Sequence, residues 1–511
     1  MADAQSMQAP AKNRWFIVVG ALLIQLCLGA IYSWSAFTAC LQAGRVEVLL
    51  KHSPDLLGLK PGSEAEYAAT RADVQKRQDA LMAGVKAAMK SKDREAESRA
   101  RKELGDFKRT RLTDAWLDEN FDRTKFDRQA FGFTAKQAQL PYCVGLATFA
   151  LVMILAGRWQ DKAGPRVVAV TGGVILGLGY LFAGLFGQTF WPLLIGIGLI
   201  GGAGIGLGYV CPIAASVKWF PDMKGFITGL AVAGFGAGAF IFINLAGSWG
   251  NLIRDHGVNT TFLVLGAIFL VCVVLGALML SNPPAGYRPA GWNPPQAASG
   301  SATSGLDLTQ GQTVRTPQFW MAWLAFVFSG GCGLMVIGSI GNFGELEGGL
   351  KAGVAASLAG VLALFNGLGR IVWGTLAQKI TPRRALMIMV FLQGAMMFAL
   401  PALGGSLLTL GIGACWIGFN FGGNFAIFPL LTAEFFGTRN LGANYGAVFT
   451  AYGAGGILGP ILAGSVWDEM GTYRWAFLVA GAACVASGLI ALVLRSPRSS
   501  AEPASQASGG G

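Results

Sequence analysis

The sequence predicts an all-α membrane protein: twelve transmembrane helices in two six-helix repeats, with a helical extracytoplasmic insertion between helices 1 and 2. Three observations carry this expectation, namely composition, twelve apolar runs of bilayer-spanning length, and an internal repeat. Of the 511 residues, 53% are hydrophobic and only 13% charged, whereas a soluble globular chain has roughly 25% charged residues. Mean hydropathy is +0.51. The 74 glycines suit helices whose backbones approach closely in lipid.

The apolar runs lie at 15–40, 138–157, 167–188, 191–216, 225–249, 260–281, 318–342, 353–377, 385–404, 406–431, 442–467 and 473–494. Each has about the 20 residues needed to cross the hydrocarbon core. The first follows Lys12 and Arg14 and is too long for a signal-peptide core, so it reads as a retained helix 1. Basic residues then recur in alternate short connections: Arg158, Lys162 and Arg166 after helix 2, Lys218 and Lys224 after helix 4, Lys379, Arg383 and Arg384 after helix 8, and Arg439 after helix 10. The positive-inside rule puts that side, and both termini, in the cytoplasm. The expected location is a bacterial inner (plasma) membrane. The chain divides into an N-terminal tail with helix 1 (1–40), the insertion (41–137), helices 2–6 (138–281), a Pro/Gly/Ser-rich linker (282–317), helices 7–12 (318–494) and a disordered tail (495–511).

The insertion holds about half of the 39 Lys+Arg and more than half of the 27 Asp+Glu. By parity it lies outside, and loops longer than about 60 residues escape the charge rule. Partial helical stripes at Val74, Leu81, Val85 and Met89, and at Leu104, Phe107, Leu112, Trp116 and Phe121, predict two or three amphipathic helices forming a small cap. A solvated insertion without a ligand of its own is the plain alternative.

GRWQDKAGPR at 157–166 and GTLAQKITPR at 374–383 stand 217 positions apart, and VAGFGAGA (232–239) matches TAYGAGGI (450–457) at about the same offset. Two parallel repeats place a substrate site near the midplane between the halves, which rock against each other. In the first loop, Asp161 beside Arg158, Lys162 and Arg166 can form an inter-helix ion pair, and Gly157 and Gly164 permit the turn. A pair made in one conformation only is a latch. Gln378 replaces the acid in the second copy, which predicts a weaker latch there.

GRWQDKAGPR resembles the loop 2–3 signature of the major facilitator superfamily. RWFIVVGALLIQLCLGAIYSWSAF (14–37) and GYVCPIAASVKWFPDMKGFITGLAVAGFGAGA (208–239) resemble the oxalate:formate antiporter family, through the YxWS and KWFPDxKG elements at Tyr32–Ser35 and Lys218–Gly225. The resemblance covers nearly the whole chain except the insertion. It implies the major facilitator fold and a small organic anion as substrate. Related monocarboxylate transporters carry an acid, three residues and an arginine on helix 8, the arginine binding carboxylate and the acid assisting proton coupling. The matching residues here are Asn366 and Arg370, so the arginine is kept and the titratable partner is not. Oxalate exchangers add a lysine in helix 11, where this sequence has Tyr452. One cation instead of two favours a monocarboxylate such as formate, lactate or pyruvate over oxalate.

The residues themselves support Arg370 as the centre. An arginine near the middle of a span costs at least about 2.5–3.5 kcal/mol. Arg370 is near enough to its helix end to snorkel, but Lys379, Arg383 and Arg384 already anchor that end. Asn366 lies one turn back on the same face, and a guanidinium matches a carboxylate bidentately. No Asp, Glu, Lys or His lies well inside the other eleven runs. Aromatics complete the candidate cavity: Tyr32, Trp34, Tyr142, Tyr209, Phe421, Phe425 and Tyr452. No nucleophile–base pair suggests catalysis. With eight scattered cysteines and only His52 and His256, no metal or cofactor is expected. The excess charge of +12 forms no tract with interleaved aromatics, so nucleic acid is not an expected partner. The expected partners are a small carboxylate, the lipid bilayer, and a proton or counter-anion, with the chain acting as a monomer. A non-transporting carboxylate sensor and an exporter of amphiphilic compounds are the alternatives.

Overall fold

The computed structural model describes residues 13–91, 94–247, 249–284, 286–289, 307–346, 352–404, 406–470 and 472–497. Half of the expected linker and most of the expected disordered tail lie outside these residues. Among the described residues, twelve helices are long and apolar enough to cross a membrane: Trp15–Ser33, Gln137–Ala163, Pro165–Phe186, Phe190–Trp219, Lys224–Ala246, Leu252–Met279, Pro317–Gly341, Gly360–Ile380, Pro382–Leu403, Leu407–Phe436, Leu441–Trp467 and Arg474–Val493. They are numbered helices 1–12. Several outrun the predicted 20 residues, because a helix stays hydrogen-bonded after its sequence leaves the apolar core. Helix 1 carries a 3₁₀ turn at Gly29–Ser33 before continuing as Trp34–Gln42, and helix 4 is π-helical over Leu194–Gly201.

Large apolar side chains face outward along the bundle, among them Leu151, Leu155, Trp191 and Leu408 at 62–74% exposure. A belt of this kind is stable against hydrocarbon, not water. The chain is a multi-pass membrane protein.

Helices 1 and 3 both pack on helix 6, helix 1 also on 5, and helix 2 on 4 in the first half; helix 7 packs on 11, 8 on 10 and 9 on 12 in the second. The halves meet through helix 5 against 8 and helix 2 against 11. Exchanging each helix for its counterpart in the other half turns 5 and 8 into 11 and 2, so the repeat in the sequence is a two-fold relation in space. An even number of spans brings both chain ends to one side, here termed the terminal face. The opposite side carries the insertion and is termed the cap face.

Among the described residues the insertion forms six helical segments, Arg45–Lys51, Pro54–Leu57, Glu64–Ser91, Arg94–Thr110, Asp114–Asn120 and Arg123–Asp127; the stretch from Ser63 to about Phe131, where two or three were expected, holds the last four. Turn residues such as Gly44 and the left-handed Gly58 (φ 70°) divide what composition alone presents as continuous helix. Val46, Leu49, Leu57, Val74, Leu117 and Phe126 form a separate core within it. Phe133 and Gly132 donate backbone N–H bonds to the Leu41 and Ala43 carbonyls at 2.9 and 3.2 Å, pinning entry to exit. Buried His52 meets the Arg254 carbonyl of helix 6 through Nδ1 at 3.4 Å, and its burial holds the imidazole below the ordinary histidine range.

Candidate functional site

Arg370 is fully buried and turned inward, away from the helix end. Its Nε donates to Asn366 Oδ1 at 3.0 Å on the same helix, and Nη1 donates to the Val232 carbonyl of helix 5 at 2.8 Å. The guanidinium carbon lies 4.2 Å from the Phe425 ring centre and 5.3 Å from that of Phe235. These two rings come from opposite halves. Cation–π attraction holds the charge, while the two hydrogen bonds fix its plane. Arg370 Nη2 and Asn366 Nδ2 are buried donors with no acceptor among the described residues. Each such orphan costs about 1–3 kcal/mol, which an added acceptor would recover.

Around this edge stands a shell of phenols. Tyr32 and Tyr452 meet hydroxyl to hydroxyl at 2.5 Å across the two halves. Tyr32 and Tyr209 meet Phe235 edge-on with ring centres 5.1 and 5.5 Å apart, and the buried Tyr209 and Tyr445 hydroxyls neighbour one another near Arg370. Tyr142 packs, partly buried, against the same core cluster as Tyr32 and Tyr452. Phe421 stacks edge-on to Phe425 at 5.2 Å, supporting the ring under the guanidinium. Trp34 stands apart: its N–H is committed to the Ala138 carbonyl at 2.9 Å, and its ring lies against Phe37 and Phe262.

Phe235, Tyr445 and the Val232 carbonyl are additions to the residues expected from sequence. Phe235 lies 217 positions before Tyr452 and Tyr445 two turns before it, so the repeat offset and helical spacing could have found both. A backbone carbonyl leaves no sequence signal.

At the terminal face, the expected ion pair is replaced by a helix cap. Asp161 Oδ2 accepts the Ala443 N–H at the start of helix 11 at 2.9 Å, where the positive end of a helix favours a carboxylate. Arg158 instead pairs with Gln310 of the linker, and Arg166 donates to the Leu280 carbonyl at 3.2 Å. Lys162 closes helix 2 in its last turn, and Gly164 takes φ 85° at the corner to helix 3. The second copy repeats the device. Gln378 at the end of helix 8 accepts the Gly225 N–H of helix 5 at 2.8 Å and donates to the Asp222 carbonyl at 3.0 Å. An amide thus makes two bonds here, where sequence suggested a weaker latch. A Cβ on Gly157 would lie 2.1 Å from the Gly442 carbonyl oxygen, and one on Gly225 2.1 Å from that of Gly374. Both contacts join the halves, so this face is closed. The linker adds a strap: Leu308 N donates to the Phe436 carbonyl at 3.0 Å, and Asn440 and Asn444 donate to the Leu308 carbonyl.

The family model for the Major Facilitator Superfamily matches residues 125–460 and 417–510. The chain belongs to the major facilitator superfamily. Within it, the chain is 30% identical over 327 residues to an MFS-type transporter, YhjX, of Escherichia coli strain K12, covering 63% of this chain and 78% of that one. It is 28% identical over 325 residues to the oxalate:formate antiporter of Oxalobacter formigenes, covering 63% and 74%. It is 26% identical over 495 residues to apicoplast pyruvate carrier 1 of Toxoplasma gondii, covering 86% and 81%. Among solved structures, the proton:xylose symporter XylE aligns over 95% of this chain and 96% of its own with a TM-score of 0.58 at 12% identity, a likeness of fold.

Proposed function

We propose that this superfamily member carries a small monocarboxylate, such as formate, lactate or pyruvate, across a bacterial inner membrane by alternating access, with both termini in the cytoplasm. The observation that carries the reading is the free edge formed by Arg370 Nη2 and Asn366 Nδ2 at the seam between the halves. A carboxylate has two oxygens in one plane and satisfies both donors together. With Tyr452 bonded to Tyr32 and no second cation beside Arg370 among the described residues, the site balances one negative charge. An oxalate-like dianion would leave a charge uncompensated in low dielectric, which is costly.

Entry of the anion replaces an orphaned cation with a neutral pair. That removes the electrostatic obstacle to closing aromatics over the site and lets the halves rock as one loaded unit. The chain acts as a monomer and performs no chemistry on the solute. Exchange against a second anion fits a site centred on the permanent charge of Arg370; proton coupling would need the substrate, water or a group such as Glu434 near a helix end. The antiporter and pyruvate-carrier relatives support the solute class.

A competition panel tests this reading. In proteoliposomes, unlabelled formate, lactate and pyruvate are expected to suppress uptake of labelled pyruvate, while oxalate and longer dicarboxylates compete weakly. Equal or stronger competition by dicarboxylates overturns the single-charge site.

A further inference from the structure

A second cationic recess lies on the terminal face. A cavity of about 260 Å³ opens between the helix 4–5 connection, the start of the linker and the helix 10–11 connection, with Lys218, Lys224, Tyr287 and Thr438 in its lining and Pro221 and Pro283 as walls. Its volume equals about nine waters' share of liquid. Both lysines are half-buried, and neither ammonium has a hydrogen-bond or ion-pair partner among the described residues.

Of the nearby acids, Asp222 is committed elsewhere, whereas Asp161 keeps one buried oxygen unpaired beside the charge of Lys218. Asp222 is held through both oxygens by Arg14 at 2.7 and 2.9 Å. Asp161, which feels the charge of Lys218, accepts the Ala443 N–H. Tyr287 packs edge-on to Trp219 at 4.9 Å and interacts with Arg14, so its position in the recess is fixed. The lining thus sets two ammonium groups and the hydroxyls of Tyr287 and Thr438 around one recess, with Asp222 neutralised by Arg14.

We propose that this recess binds a compact anion through a phosphate or carboxylate group, and that its occupation holds the terminal face closed. Ammonium point charges with nearby hydroxyls suit such oxyanions without demanding a planar fork. The lysines belong to the first half, whereas Thr438 follows Gly437 at the end of helix 10 in the second. An occupant spanning them is bound fully only while the halves meet, and a ligand shifts an equilibrium by its differential affinity for the two states. The group can arrive as a free cytoplasmic anion or as a lipid headgroup. This site is independent of the one at Arg370 and does not require that the carried solute be a carboxylate.

The test uses inorganic phosphate and the full chain in phosphatidylcholine nanodiscs at constant ionic strength. Phosphate is expected to raise the Tm saturably and to slow maleimide labelling of an Ala443→Cys variant lacking the eight native cysteines. Lys218→Gln and Lys224→Gln, singly, are each expected to raise half-saturation by about tenfold or more, the worth of one charged hydrogen bond. Arg370→Lys should respond as the parent does, which separates failure here from failure of the carboxylate reading. A headgroup source instead predicts that phosphatidylglycerol nanodiscs reproduce the Tm rise and slowed labelling without phosphate, again only with both lysines intact. A Tm unaffected in either system, a response indifferent to the lysines, or unchanged labelling overturns the proposal.

Discussion

Arg370→Lys is expected to lose most transport while the protein still inserts and folds. The side chain now spends Nε on Asn366 Oδ1 and Nη1 on the Val232 carbonyl, leaving Nη2 for the solute. A lysine supplies one ammonium on a flexible stem, which can meet either the wall or the carboxylate but not both in one plane. The loss of one charge-assisted hydrogen bond, about 1.5–3 kcal/mol, predicts a fall in uptake of roughly ten- to hundredfold. Charge is preserved, so the cost of keeping a cation among Phe235 and Phe425 is largely unchanged and insertion is retained. Labelled pyruvate uptake, normalised to correctly inserted protein, measures this. Normal uptake by the variant would place the solute elsewhere.

Gly157→Val is expected to hold the terminal face open. A Cβ there would lie 2.1 Å from the Gly442 oxygen and 2.8 Å from the Ala443 nitrogen. Both are backbone atoms that cannot rotate away, so helices 2 and 11 must separate. Separation also takes Asp161 from the Ala443 N–H, and loss of such a cap costs about 0.5–2 kcal/mol, a roughly two- to thirtyfold shift toward the open state. The readout is maleimide labelling of Ala443→Cys from the terminal face, together with uptake. Labelling should rise and uptake fall. Unchanged labelling with normal uptake would mean that this contact does not govern closure.

Much of this architecture is legible in the sequence because membrane physics writes it plainly. Twelve apolar runs become twelve helices, since a bilayer leaves the backbone no other way to satisfy its hydrogen bonds. The offset of 217 between GRWQDKAGPR and GTLAQKITPR corresponds to the relation between the helix 2–11 and 5–8 contacts. Arg370 stands out because a buried cation is expensive and few other charges enter the spans. What stays hidden depends on backbone. Asp161 announces a latch, but its partner is the N–H of Ala443, and Val232 contributes only a carbonyl. Gln378 seemed the poorer copy because charge was the visible criterion, whereas an amide can accept from Gly225 and donate to Asp222. Trp34 shares the YxWS element with Tyr32, yet a 3₁₀ turn over Gly29–Ser33 precedes it and its N–H goes to Ala138. Composition marked the insertion as helical, but its six segments follow from turns and from a core that includes Phe126 and Leu117.

The central claim is that the seam at Arg370 accepts a carboxylate and passes it through the protein. Counterflow tests it most directly. In proteoliposomes containing the purified chain, labelled pyruvate is expected to accumulate transiently above equilibrium only when the vesicles are preloaded with unlabelled pyruvate, formate or lactate. Equal uptake by preloaded and empty vesicles, or no flux of any short carboxylate by correctly inserted protein, would contradict it.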